Sequence, residues 1–265
     1  MIRALVVRGI RQHGRLIAAL CAGLVLFEGA VVWAAASIGM GPEFQQLMTT
    51  LFPANVVDTI FSQFGFASFS GAISFGYQHP VTLVISVAIV TVLATVPAHE
   101  RETGFLDLVL SRPLARGKYL AATTILLAIG SALPPIALLL GSAWGLEVVE
   151  ASEGLGWKEY LPAAGVLALL LVTVGSYTLF FTSAAKRRGT AIAQSVGVTL
   201  VFYWLDFMGD YWDVLETPRL FSPFHYFDPA VAAGAGVPLG HLLVLSGITL
   251  TCTAAAFWNF SRQDL

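Results

Sequence analysis

The feature that most constrains this chain is a set of long stretches without Asp, Glu, Lys or Arg. They cover residues 59–99, 119–146, 160–185 and 229–261. Crossing a bilayer takes roughly 20 apolar residues in a helix, and each stretch exceeds that length. Only 11% of the residues are charged, against about 25% in soluble proteins. The sequence therefore predicts an all-α polytopic membrane protein and excludes a soluble fold or a secreted disulfide scaffold.

We predict six transmembrane helices in a single domain, residues 1–265. They cover approximately residues 16–39, 76–98, 119–144, 161–184, 189–208 and 238–260. Pro134 and Pro135 predict a kink in the third span, because proline removes a backbone donor and clashes with the preceding turn. The first span continues past Glu28 to about Met40, which is long for a signal-peptide core. We interpret it as a retained span, with a cleaved signal as the alternative.

The basic residues predict the orientation in the membrane. If both termini lie on one side, only Lys158 and Arg219 of the 14 Lys and Arg residues fall on the other side. Basic loops stay in the cytoplasm. We therefore expect a multi-pass protein of the cell (inner) membrane with both termini cytoplasmic. The net charge of −2 gives no indication of a nucleic-acid partner, which leaves the lipid bilayer as the expected surroundings.

The first 15 residues have a pattern of their own. At 100° per residue, Arg8, Arg11 and Arg15 fall on one side of a helix. The opposite side carries apolar residues, namely Ile2, Leu5, Val6 and Ile10. Residues 1–15 are thus expected to form an amphipathic helix lying in the membrane interface. A simple basic anchor for the first span is the equal alternative.

The loop after the second span carries the most informative pattern. Thr103 stands just before an apolar run, acidic residues precede that run and Arg112 follows it, which suits the helix dipole. Pro113 ends the pattern. We predict a short amphipathic helix at about 100–112, lying across the cytoplasmic face with an apolar ridge. On this pattern alone, the ridge could equally pack only against the inner ends of the spans.

This loop resembles the first cytoplasmic loop of ABC (ATP-binding cassette) type-2 exporter permeases. The residues that carry the resemblance are Glu100, Arg101, Glu102, Thr103, Gly104, the apolar run, Pro113, Arg116 and Lys118. It departs from the family at Phe105, where Thr is more usual, and in placing Thr103 before the glycine. Ala121 and Ala122 also stand where the family has a Lys. The segment 222–229 and the six-span layout are similar to the family as well.

The resemblance implies the transmembrane permease subunit of an ABC exporter, forming the translocation pathway as a dimer with a second copy or a homologous permease. Residues 100–112 would be a coupling helix that docks on a separate ATPase subunit, which would bind ATP and Mg; no cofactor is expected in this chain. The implied coupling residues are Glu100, Arg101, Glu102, Thr103, Gly104, Phe105, Leu106, Asp107, Val109, Leu110 and Arg112. A candidate secondary contact consists of Lys186, Arg187 and Arg188, with a topology-setting charge cluster as the alternative.

Catalytic motifs are absent from the sequence. The closest approach to a P-loop is Gly117-Lys118, but Arg112 replaces the earlier glycine and Tyr119 follows the lysine. Neither His-Glu-x-x-His nor Gly-x-Ser-x-Gly occurs, so we do not expect an enzyme. The competing hypothesis is an ATP-independent six-helix membrane scaffold or channel. The loop at 100–118 discriminates between the two, because only coupling requires its ridge to meet an ATPase.

Two acidic residues fall inside predicted spans. Glu28 lies near the middle of the first span, where an ionisable group is costly unless it faces protein or water. Asp206 lies near the outer end of the fifth span and shares a face with Asp210 and Asp213 if the helix continues past Gly209. Glu28 and Asp206 are therefore candidate pathway residues. The alternatives are a neutral or hydrogen-bonded Glu28 and aspartates solvated at a helix end.

Overall fold

The computed structural model describes residues 2–38, 42–53, 68–111, 116–149 and 155–262, and these ranges contain no strand. The helices are α1 (Ile2–Ile38), α2 (Pro42–Leu51), α3 (Phe69–Gln78), α4 (Pro80–Ala94), α5 (Val96–Glu102), α6 (Phe105–Leu110), α7 (Arg116–Val148), α8 (Leu161–Ala184), α9 (Arg188–Gly209), α10 (Asp213–Arg219), α11 (Pro229–Ala235) and α12 (Leu239–Arg262). Short 3-10 helices cover Trp157–Tyr160 and Pro223–Tyr226.

Six helical segments are long and apolar enough to cross a membrane, which confirms the predicted all-α architecture with six candidate spans. They are Ile2–Ser37, Phe69–Ala94, Arg116–Val148, Trp157–Ala184, Arg188–Gly209 and Leu239–Arg262. The predicted starts of the last three spans agree with the structure to within a few residues. The first three begin earlier than predicted: basic residues continue the first and third helices, and the uncharged residues 69–75 continue the second.

The first helix is continuous, so the predicted boundary between an interfacial helix 1–15 and the first span is wrong. Helix α1 runs unbroken from Ile2 to Ile38. Gly9 packs so closely on the Leu126 side chain of α7 that a Cβ at this position would collide with it. The first turns are therefore held against the third span rather than lying apart from it.

The second span is made of two helices that meet at His79. The backbone of His79 leaves the helical region, with φ −57° and ψ 137°, and Pro80 opens α4. A residue before proline is driven out of the α region by contact with the proline ring. The imidazole of His79 accepts a hydrogen bond from the Val81 N–H and so caps α4. The predicted single helix at 76–98 overlooked this break.

The third span keeps its helix through Pro134 and Pro135. Both prolines are buried. A membrane helix tolerates proline where neighbouring helices cover the freed carbonyl groups. The prolines therefore do not divide the third span, which continues four residues beyond the predicted end at 144, to Val148.

Helix α8 lies at the centre of the molecule. In the span Trp157–Ala184, 67% of the most apolar window is buried, against 11% in α12. Hydroxyl groups join α8 to its neighbours: Tyr177 bonds Thr199 of α9, and Thr173 bonds Thr249 of α12 at 2.9 Å. Interhelical hydroxyl bonds of this kind hold helices together where no hydrophobic driving force is available.

Glycines allow α1 and α7 to approach closely. A Cβ on Gly141 would lie 2.6 Å from the Val25 carbonyl oxygen and 2.7 Å from the Glu28 Cβ. On the same side of α7, a Cβ on Gly145 would lie 2.7 Å from the Val32 Cβ. Small residues at such positions let helix backbones pack at short distance. The contact fixes α1 along α7 over several turns.

Candidate functional site

The loop between the second and third spans folds as two short helices, α5 and α6, rather than the single helix predicted at 100–112. The chain turns at Thr103 and Gly104, where Gly104 has φ +70°. This left-handed conformation favours glycine, because it costs other residues roughly 1–2 kcal/mol. The Thr103 hydroxyl donates to the His99 carbonyl at 3.0 Å and closes the end of α5. Gly104 therefore sets the angle between the two helices.

Glu100 is the centre of a polar junction that joins three elements. Its Oε1 lies 2.7 Å from the Arg8 guanidinium of α1, and its Oε2 accepts a hydrogen bond from the Tyr119 hydroxyl of α7 at 2.6 Å. The Glu100 side chain is only 7% exposed, whereas that of Arg8 is 40% exposed. We call Arg8, Glu100 and Tyr119 the Glu100 junction. It connects the loop to the beginning of α1 and of α7.

Phe105 adds a second contact between the loop and α1. The Arg8 guanidinium lies 3.8 Å from the centre of the Phe105 ring, within the range of a cation–π interaction. Arg8 therefore contacts both helices of the loop, α5 through Glu100 and α6 through Phe105. The sequence pattern identified the loop residues but did not identify Arg8 and Tyr119 as partners of Glu100. Both residues are distant from Glu100 in the sequence, and their neighbouring residues do not indicate the pairing.

The other two residues of the charged triplet hold the loop against the segment between α8 and α9. Arg101 donates to the Ala185 carbonyl at 2.7 Å. The Glu102 carboxylate accepts a hydrogen bond from the backbone N–H of Arg188 at 3.1 Å, and the Arg188 Nε lies 3.3 Å from the Thr95 hydroxyl. Of the predicted secondary contact, Arg188 is thus engaged within the chain, while Lys186 and Arg187 are exposed.

The apolar residues of α6 divide between the two sides of the helix. Leu106 is fully buried, and Val109 packs on the same core. Leu108 points the other way and is 67% exposed. The side chains of Asp107 and Leu110, and Arg112 as a whole, lie outside the described part of the chain.

The predicted coupling residues therefore fall into two groups: those that contact the rest of this chain and those that are exposed. Glu100, Arg101, Glu102, Phe105 and Leu106 are engaged with the rest of this chain. Within the part of the loop that the structure describes, Thr103, Leu108 and Ser111 are exposed, as is Glu102.

Comparison with protein-family models, with curated proteins and with solved structures found no match to this chain. The geometry of the chain therefore carries the functional argument.

Glu28 lies in the packed junction of α1, α3 and α7. Its side chain is fully buried, and its Oε1 accepts a hydrogen bond from the Ser142 hydroxyl at 3.1 Å. Ser142 is also 3.1 Å from the Tyr77 hydroxyl. Glu28 does not line the apolar groove between α4 and α9. Helix surfaces enclose its side chain on every side that the structure describes.

Asp206 does not share one helical face with Asp210 and Asp213, because α9 ends at Gly209 and Asp213 begins α10. Asp210 is paired with Arg219, and Asp206 lies 3.5 Å from the imidazole of His225. Basic groups thus accompany two of the three aspartates, and the continuous acidic face expected from the sequence is not formed.

The surroundings of His225 oppose its protonation. Burial, the Arg219 guanidinium and the nearby His241 all lower the pKa of His225, while Asp210 acts in the opposite direction. The His225 and His241 rings lie 6.5 Å apart. Among the described residues, no group of three or more His, Cys, Asp or Glu side chains is arranged to hold a metal ion.

An apolar groove of about 380 Å³ runs between α4 and α9. Valines of α4 form one wall, and the other wall includes Val196, Leu200 and Tyr203. Thr91 supplies one of the few polar atoms of the groove, and its buried hydroxyl has no hydrogen-bond partner among the described residues. The groove can accommodate an apolar chain or ring system.

Proposed function

We propose that this chain is the transmembrane permease subunit of an ABC exporter, working as a dimer with a second copy or a homologous permease. Separate ATPase subunits would bind ATP and Mg and dock on the loop of α5 and α6. The protein would lie in the cell membrane with both termini and this loop in the cytoplasm. The support from sequence is the resemblance of the loop, and the support from geometry is the way the loop is attached.

The Glu100 junction is the observation that carries the proposal. A coupling element must be held firmly by the membrane helices that it moves. Glu100 meets α1 through Arg8 and α7 through Tyr119, and the Arg8 contact with Phe105 extends the attachment to α6. Arg101 attaches the same loop to Ala185, just after α8, and Glu102 attaches it to the start of α9. A force on the loop would thus reach three spans.

The open side of the loop gives an ATPase a place to dock. Leu108 of α6 is an exposed leucine, and the Ser111 hydroxyl donates to its carbonyl at 2.9 Å. Thr103, before α6, is exposed as well. A single apolar anchor of this kind, seated in a pocket on a partner, can contribute about 1–2 kcal/mol to binding. The apolar groove between α4 and α9 offers a surface for apolar cargo.

Copurification tests the proposal directly. The tagged protein is extracted in mild detergent from the membranes of its own cell, and the associated proteins are identified by mass spectrometry. An ATP-binding cassette ATPase in about equal amount is the expected result. Recovery of the chain alone, in every gentle detergent tried, would favour the ATP-independent scaffold or channel.

Substitution of Leu108 tests the docking surface. In lipid nanodiscs holding both subunits, we expect Leu108→Asp to lower ATPase binding by about tenfold, since losing an apolar anchor costs about 1.4 kcal/mol. The matched control is Val214→Asp, because Val214 is 86% exposed on α10, at the opposite end of the spans. Equal effects of the two substitutions would contradict docking at α6.

A further inference from the structure

The buried carboxyl of Glu28 has an oxygen that nothing in the described chain satisfies. While Oε1 accepts a hydrogen bond from Ser142, Oε2 has no hydrogen-bond partner among the described residues. It lies against Gly76 of α3 so closely that a Cβ on that glycine would collide with it. A carboxylate oxygen that is buried and unpaired in this way is costly, and a membrane provides no water to compensate it.

No ion pair of the described residues reaches Glu28. The ion pairs among the described residues involve Arg8, Arg219 and His225, and none includes Glu28. The nearest histidine of the second span, His79, accepts a hydrogen bond from the Val81 N–H, and its ring contacts Phe27 and Phe75. A buried carboxylate is normally paired with a cation or several donors, whereas among the described residues the Ser142 hydroxyl is the one donor to Glu28.

The other titratable groups near Glu28 are two tyrosines. Tyr77 of α3 reaches Ser142, and its ring stacks on that of Tyr160 with the centres 6.1 Å apart. The Tyr160 hydroxyl donates to Ser70 at 3.2 Å. Hydroxyl groups therefore surround one side of the carboxyl, while α1 and α7 contribute no further charged side chain to it. This environment suits a neutral acid, which needs fewer partners than a carboxylate.

We propose that Glu28 is a proton-binding site, whose carboxyl carries a proton in this conformation and releases it when water enters the junction of α1, α3 and α7. On release, the carboxyl O–H bond breaks, the proton passes to the entering water, and the carboxylate left behind is hydrated. Gly76 and Gly141 let the three helices close tightly over the site. The closed state therefore binds one proton more than a water-filled state. This inference is independent of the proposed transport function.

Infrared spectroscopy on the full chain in lipid nanodiscs tests the proton directly. A protonated carboxylic acid has a C=O stretch that an ionised carboxylate lacks. At neutral pH we expect this band in the wild-type protein and its loss in Glu28→Gln. The matched control is Glu147→Gln on the exposed end of α7, which should leave the band unchanged. A band of equal size in wild type and Glu28→Gln would overturn the proposal.

Ser142→Ala provides a second test that does not alter the acid itself. Ser142 donates to Oε1, so its removal should shift the carboxyl band to higher frequency without abolishing it. A band that does not respond to Ser142→Ala would show that the Ser142 hydroxyl does not bond a protonated Glu28 carboxyl, which contradicts the proposed site.

The pH dependence of stability gives an independent readout. Because the folded chain keeps a proton that an unfolded glutamic acid releases, the free energy of unfolding should fall as the pH rises above about 4.3. Glu28→Gln imitates the neutral acid and should remove this fall, so that at neutral pH the variant is at least as stable as wild type. A Glu28→Gln protein that is much less stable than wild type at neutral pH would show that Glu28 is ionised.

Discussion

At the scale of single residues, Glu100 belongs to the charged triplet that marks the loop, and it also attaches that loop to α1 and α7. The acid–basic–acid triplet identified the loop, yet both oxygens of Glu100 are used inside the chain. Long-range partners such as Arg8 and Tyr119 could not be predicted, because each pairing depends on how the helices pack. The sequence predicted that the loop is charged and amphipathic. Only the structure could show which of its residues are exposed.

A double-mutant cycle on Arg8 and Glu100 measures this junction. We expect Glu100→Ala to lower the free energy of unfolding by about 1–3 kcal/mol, because it leaves the buried Tyr119 hydroxyl unpaired. Arg8→Ala should cost less, since Arg8 is partly exposed and solvent screens the pair. Thermal unfolding in detergent gives both values. Effects that simply add in the double variant would show that the two residues do not interact.

His225 gives a prediction on the dependence of stability on pH. Its pKa is lowered in the folded protein by burial, by Arg219 and by His241, so the unfolded chain takes up a proton at a higher pH than the folded chain. The free energy of unfolding should therefore decrease as the pH falls through about 6.5. His225→Gln should reduce this decrease. Unfolding curves from about pH 8 to about pH 5 test it, and an identical slope in the variant would refute it.

At the scale of elements, the uncharged stretches predicted the helices well, because a membrane span must be apolar over its whole length. The breaks were less predictable. His79 leaves the helix because Pro80 follows it, a signal that was present in the sequence and was overlooked. The turn at Gly104 needed the structure, since a glycine between a polar segment and an apolar run also occurs in continuous helices.

A pair of glycines tests the close packing of α1 on α7. Gly141→Ala should lower stability by about 1–3 kcal/mol, because the new Cβ would press on the backbone of α1 at Val25. The matched control is Gly247→Ala on α12, where nothing lies within 4 Å of the new Cβ. That change should be neutral or stabilising by up to about 1 kcal/mol through helix propensity. Similar melting temperatures for both variants would contradict a close helix contact at Gly141.

At the scale of the whole molecule, the number of spans followed from the sequence, whereas their arrangement did not. All six spans are similarly apolar, so composition could not show that Trp157–Ala184 is central and that Leu239–Arg262 is peripheral. The hydroxyl bonds of α8 to α9 and α12 determine that arrangement. Their residues, such as Thr173 and Thr199, are ordinary in the sequence of a membrane helix.

The orientation in the membrane is testable with single cysteines. After Cys21 and Cys252 are replaced by alanine, Lys158→Cys and Lys186→Cys place a thiol at opposite ends of α8. In intact cells, a membrane-impermeant reagent should label Lys158→Cys, and Lys186→Cys only after the cells are opened, because basic loops stay inside. The reverse labelling pattern would invert the proposed topology and remove the loop of α5 and α6 from any cytoplasmic ATPase.

The unbroken length of α1 has a mechanical consequence. Its 37 residues give a rod of about 55 Å, longer than the roughly 40–45 Å of a whole bilayer. A rod of this length must either tilt in the bilayer or extend beyond it, and Arg8 lies in its first turns. Without a hinge between Arg8 and Glu28, a tilt imposed at one end is carried to the other. Because α1 packs closely on α7 at Gly9, Gly141 and Gly145, the two helices are expected to move together as one unit.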